Sequence, residues 1–263
     1  EGTHHGEDHD QQHHRRQQRR QRCAYGHCAQ CAGVGETGRD ALRHAAVEHD
    51  VQVAHAAAGL GAVAVAVVVE VAALAAAGIE REALADNGKR IPSEVHERLL
   101  NHLVHASGDP LFGLHASSFV QPGSWSVLGY ITMNCATLGE AMSRIVPYEK
   151  LVGDMGTSRL ELVGSQVHLI WNCRHEASDI RRHMVENVLA SWLLYARWIA
   201  DMDKSPDEVW FEHDQPAGTQ LADYEAVFGC PVRFAQPCNA LLVPQIYLGI
   251  PLRQADAGLL RTL

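Results

Sequence analysis

Apolar residues follow a helical period over the middle of this chain, then a period of two, then a helical period again. "VEVAALAAAGIEREAL" (69–84) reads as a helix stopped at Gly78. Ile91-Pro92-Ser93 opens a second helix, with Val95, Leu99, Leu103 and Ala106 near i, i+4 spacing and Gly108-Asp109-Pro110 ending it. A third begins at Thr137, where Thr137 and Glu140 make a capping-box pattern. Leu138, Met142, Ile145 and Val146 follow at helical spacing, and Pro147 interferes near the end. Over "SRLELVGSQVHLIW" (158–171) the alternation predicts a hairpin turning at Gly164-Ser165. That register sets Leu162 opposite Val167 and Leu160 opposite Leu169 on the apolar face, with Glu161 across from His168 on the wet face.

A long helix is predicted next, over about 178–202, with Ile180, Met184, Val188, Trp192, Tyr195 and Ile199 as its stripe. "EVWFEH" (208–213) reads as a strand, "TQLADYEAVFG" (219–229) as a helix with a glycine C-cap, and "PVRF" and "ALLV" as short strands. "ADAGLLRTL" begins a last helix. Runs of helix followed by hairpin-joined strands predict an α+β fold: a helical N-terminal part, then a small antiparallel sheet with packed helices.

Composition changes this picture at the front. Residues 1–40 are rich in His, Gln and Arg and lack hydrophobic period, so they are expected not to fold alone. "AAAGLGAVAVAVVVE" (56–70) stops at Glu70, short of the roughly twenty apolar residues that span a bilayer, and reads as an interior helix or strand. The expected organisation is an extension over 1–65, one domain over 66–255, and the start of a linker over 256–263. The first methionine is Met133, so residue 1 is not expected to be an ordinary initiation site. Residues 66–263 carry fifteen Lys/Arg against twenty-three Asp/Glu, an acidic body unsuited to binding duplex DNA by itself. Seven cysteines and no secretory signal predict free thiols in a reducing compartment, the cytoplasm.

Several groupings could carry chemistry. Cys23, Cys28 and Cys31 with His27 have zinc-like spacing, yet lie in the unpatterned extension. His175, Asp179, His183 and Asn187 fall at successive i+4 steps and could hold a metal; a solvated helix edge is the plainer reading, and the same holds for His96, His102 and His105. Cys173 and His175 are a weak nucleophile–base pair, and no G-x-S-x-G, G-x-G-x-x-G or phosphate-loop motif is present. Trp125, Tyr130, Tyr148, Trp171, Trp192, Tyr195 and Trp198 could be core or could line a pocket.

Three stretches resemble the N-terminal regulatory domain of AraC-type transcriptional regulators, the arabinose-binding subgroup. The longest is 108–154, with Gly108-Asp109-Pro110, Phe112-Gly113-Leu114, Gly123, Leu128-Gly129-Tyr130 and Thr137-Leu138-Gly139-Glu140-Ala141 as its marks. Residues 72–92 resemble that domain's opening helix, and "YEAVFGCPVRFAQPCNALLVP" (224–244) its closing segment. Nothing in 1–65 is similar. The resemblance implies a module that senses a small metabolite (a carbohydrate, amino acid or organic acid), self-associates as a homodimer, and controls DNA through a C-terminal helix-turn-helix domain beyond Leu263. It implies neither enzyme activity nor a cofactor, and no membrane partner. The expected pocket residues are Trp125, Tyr130, Asn134, Tyr148, Trp171, Arg174 and Trp192. Arg174 could pair an anionic effector bidentately, though a solvated strand end is its plainer role. Two other readings stay open: a small metal-dependent α+β enzyme, and a metal-binding protein acting through the N-terminal Cys/His cluster.

Overall fold

The apolar run before Glu70 folds as helix α1, Ala62–Ala77, in a computed structural model that describes residues 62–82, 90–176 and 178–263. The Cys23/His27/Cys28/Cys31 cluster lies outside the described residues. Gly78 ends α1 in the left-handed region at φ 72°, and Arg98 caps it by donating to the Ala77 carbonyl at 3.1 Å. Glu70 is buried on this apolar helix and pairs with Arg81 at 2.7 Å. Among the described residues no helix is long and apolar enough to cross a membrane.

Helix α2 (Ser93–Ser107) packs on α1, burying Leu99, Leu100 and Leu103 against Ala73, Leu74 and Ala77. Gly108 at φ 62° turns the chain, and Asp109 accepts the Leu111 N–H at 2.8 Å. Two short helices follow that the hydrophobic pattern did not reveal, α3 (Phe112–Ala116) and α4 (Ser126–Met133). Helix α5 (Leu138–Tyr148) starts where the Thr137 cap predicts. The Glu140 N–H donates to Thr137 Oγ1, while the Glu140 carboxylate accepts from Ala136 N–H, one residue before the cap. Pro147 sits in its last turn, where the lost bond to the carbonyl one turn back and the clash of its ring disturb only the end of the helix.

Strands β1 (Gly156–Val163) and β2 (Gln166–Cys173) form the expected hairpin, with Leu162 opposite Val167, Glu161 opposite His168 and Leu160 opposite Leu169. One part of that expectation fails. His168 is buried, not on a wet face, because β5 (Ala240–Pro244) pairs on the other side of β2 and Trp210 packs edge-on to the His168 ring at 5.5 Å. Ile170, Cys238, Ala240 and Leu242 make this second face apolar. Leu162, near the hairpin tip, is exposed instead.

Helix α6 (Ser178–Ala200) buries Ile180, Met184, Tyr195 and Ile199 of its predicted stripe, with Val188 and Trp192 half-buried. Strand β3 (Glu208–Trp210), helix α7 (Leu221–Phe228), strand β4 (Val232–Arg233), β5 and the short helix α8 (Ala257–Leu260) complete an α+β fold. The sheet order is β1-β2-β5-β3-β4. All pairings are antiparallel except β3–β4, which is parallel because α7 carries the chain back between them. The main core lies between α6, the earlier helices and the β2 face bearing Val167, Leu169 and Trp171.

Candidate functional site

A cavity of about 210 Å³ opens inside this core. Its walls come from α2, α4, α5, the long helix α6 and the inner faces of β2 and β5. Trp125, Trp171 and Trp192 line it, with Met142, Ile145 and Leu169. The Trp125 ring stands edge-on to Tyr195 at 4.7 Å, which fixes its angle to the space. Trp171 is held from behind by Gly156, where a Cβ would come within 2.4 Å of two indole carbons. Gly156→Ala is therefore expected to push the indole from its seat, lower stability by about 1–2 kcal/mol in urea unfolding and shift the tryptophan emission. An unchanged emission maximum would contradict that packing.

Most polar groups at the cavity already have partners. Thr132 Oγ1 lies 2.9 Å from the Leu128 and Gly129 carbonyls. The Tyr195 hydroxyl donates to Gly129 O at 2.6 Å, and burial pushes its pKa up to about 12. Asn187 Nδ2 donates to Gly113 O, Gly113 N–H donates to His183 Nδ1, and Glu149 accepts the Ser158 N–H. Two buried side-chain atoms on lining residues have no hydrogen-bond partner among the described residues: Ser191 Oγ and His96 Nδ1, on residues 2% and 8% exposed. Burial, and secondly the nearby His175, lower the His96 pKa to about 4, so its ring is neutral near pH 7. His96 thus belongs to the core and not to the solvated edge expected for it, whereas His105 is exposed.

A separate polar cluster is buried around Glu186, which has no exposed surface. Arg182 Nη1 lies 3.2 Å from both carboxylate oxygens, and the Tyr224 hydroxyl donates at 2.6 Å. Burial outweighs the Arg182 attraction and pushes the carboxyl up to about 7. This cluster ties α6 to α7.

The other sequence candidates are dispersed. Of the seven expected pocket residues, Trp125, Trp171 and Trp192 meet at the cavity, while Tyr130, Asn134, Tyr148 and Arg174 lie away from its lining. Tyr130 and Tyr148 are exposed, Asn134 Nδ2 donates to the Tyr130 carbonyl, and Arg174 is an exposed strand end whose N–H donates to Met155 O. The i+4 series does not form one helix edge: His175 precedes α6, and both His175 and His183 are buried, so a solvated edge is not what forms. Among the described residues no three or more His, Cys, Asp or Glu side chains are grouped to hold a metal ion. Cys135, Cys173, Cys230 and Cys238 are free thiols, and burial raises the Cys173 pKa, against a nucleophilic role.

Residues 70–252 match the family described as the arabinose-binding domain of AraC transcription regulators, N-terminal. The chain belongs to this family. Another protein similar to this AraC-type domain is the ornithine utilization regulator of Pseudomonas aeruginosa, 26% identical over 194 residues, which cover 68% of this chain and 56% of that protein. The crystal structure of the transcriptional regulator CdpR from Pseudomonas aeruginosa shares the fold, with a TM-score of 0.55 at 17% identity over 73% of this chain and 59% of the other. The chain thus spans somewhat over half the length of either relative.

Sequence reasoning missed Ser191 and misplaced His96. A signal for Ser191 was present: it continues the i+4 series His183, Asn187 by one more turn, along the flank of the α6 apolar stripe.

Proposed function

We propose that residues 66–255 are the effector-sensing half of an AraC-type transcriptional regulator. A small metabolite binds in the cavity under α6 and controls DNA binding by a C-terminal helix-turn-helix domain outside this chain. The protein works in the cytoplasm as a homodimer, without a catalytic role. The observation that supports this most is the cavity itself, an apolar chamber walled by three tryptophans, with two polar atoms of its lining residues left without partners among the described residues. The regulators among its relatives support the same reading. The acidic balance of residues 66–263 fits a sensing half whose DNA contacts come from elsewhere.

Control of this kind needs a ligand that binds one arrangement of the domain better than another, because only differential affinity moves a population. The test is a thermal-shift screen of small metabolites. A ligand at about a hundred times its Kd is expected to stabilise the chain by about 2.7 kcal/mol. Trp171→Ala should abolish that response. A hit to which Trp171→Ala responds unchanged would remove the cavity from the proposal, and a screen without hits would remove sensing.

A further inference from the structure

Resting on the sensing role proposed above, the geometry points to a specific ligand class. We infer that the cavity takes a neutral, mostly apolar molecule, an aromatic or alicyclic ring bearing one hydroxyl, which hydrogen-bonds to Ser191. This departs from the sugar, amino acid or organic acid that the family resemblance implies.

The wall argues first. Three indole rings with Met142, Ile145 and Leu169 offer dispersion contact and no hydrogen bonds inward other than indole N–H groups. A sugar carries a hydroxyl on nearly every carbon, and each one buried without a partner weakens binding. Several groups that could meet them are already engaged: Thr132 with Leu128 and Gly129, Tyr195 with Gly129, Asn187 with Gly113.

Charge argues second. The lining includes one lysine, Lys204, which is exposed and sits 5.4 Å over the Tyr247 ring. Glu149 is half-buried and already accepts the Ser158 N–H. His96 lies in the wall as a neutral ring, and His183 is tied to Gly113. A zwitterion or carboxylate inside would face indoles and thioethers without a buried counter-charge.

Size and the free hydroxyl complete the case. A dry apolar cavity of about 150 Å³ holds benzene, so about 210 Å³ admits a ring with a short substituent. A helical serine ordinarily returns its hydroxyl to a carbonyl one turn back, but Ser191 Oγ has no partner among the described residues although the residue is only 2% exposed. A single ligand hydroxyl satisfies it.

Isothermal titration of the whole chain with p-cresol and toluene tests both halves of the inference. The two probes share a ring and differ by the hydroxyl. Wild type is expected to bind p-cresol about tenfold more tightly than toluene, and Ser191→Ala to reduce that ratio to about one. Ser191→Cys, which keeps the side-chain shape in a slightly larger group with only a weak donor, should do the same if the alanine variant folds poorly. A ratio that survives in both variants overturns the assignment of Ser191. Tighter binding of benzoate, benzylamine, L-arabinose or L-ornithine than of p-cresol overturns the ligand class while leaving the sensing role standing. Binding by none of these probes overturns both.

Discussion

Gly113→Ala is expected to cost about 3 kcal/mol or more and to leave little folded protein. A Cβ at this position would lie 2.0 Å from the His183 carbonyl oxygen and 2.6 Å from two further backbone atoms of His183. No rotamer change relieves a clash with backbone, so α3 must move away from α6, at the upper end of what overpacking costs. The move would also stretch both hydrogen bonds that join the elements, Gly113 N–H to His183 Nδ1 at 3.2 Å and Asn187 Nδ2 to Gly113 O at 3.1 Å. The Gly113–His183 bond is buried where water cannot replace it, while Asn187 is half-buried. Because α6 forms one wall of the cavity, ligand response should be lost with stability. Urea unfolding checks this, with Gly123→Ala as the control, since a Cβ there meets only the Tyr130 hydroxyl at 3.7 Å. Equal midpoints for the two variants would show that the α3–α6 approach is looser than described.

The same close approaches explain the short motifs that carried the family resemblance. Gly129 packs on the Pro122 backbone, where a Cβ would fall 2.0 Å from the carbonyl oxygen, and Gly139 packs on Leu248 at 2.9 Å. Phe112-Gly113-Leu114, Leu128-Gly129-Tyr130 and Leu138-Gly139-Glu140 are thus places where backbone meets a neighbouring element. Sequence shows the glycine; only the fold shows what lies against it.

Legibility followed the range of the forces involved. The hairpin register was readable because alternation and a two-residue turn are local. The burial of His168 was not, since it depends on β5 arriving from seventy-odd positions later to cover β2. The parallel β3–β4 pair depends on strand order in the same way. Helices α3 and α4 are too short to present a stripe. At the cavity, the three tryptophans were legible as large rings beside apolar runs. Tyr130 and Tyr148 have the same chemistry on outward faces of α4 and α5, so ring type alone did not sort them. His96, and Ser191 despite its place in the i+4 series, stood out only when burial was set against the partners each lacks among the described residues.

Opposed titrations of Glu186 and His96 are expected to keep the chain's stability nearly level in weakly acidic solution. Burial raises the Glu186 carboxyl from its ordinary 4.5 to about 7. Its contribution is therefore fully present below about 4.5 and is lost as pH rises through about 7. Burial, with the neighbouring His175, lowers His96 from 6.5 to about 4, so its contribution is present above 6.5 and lost as pH falls through about 4. Each change is on the order of 3 kcal/mol, with opposite sign over nearly the same range. Two weaker titrations divide the same way: His115, raised by its hydrogen bond to Asp109, acts with Glu186, while His213, lowered by burial, acts with His96. Single variants should unmask the slopes. Glu186→Gln keeps an acceptor for the Tyr224 hydroxyl and removes the carboxyl titration, so its stability should climb with pH by on the order of 3 kcal/mol between about pH 4 and 7. His96→Leu keeps the wall apolar and should fall over that range by a similar amount. Urea unfolding of the three proteins at several pH values decides it. Parallel profiles would mean that neither group changes its proton affinity on folding, and so that neither is buried as the structure places it.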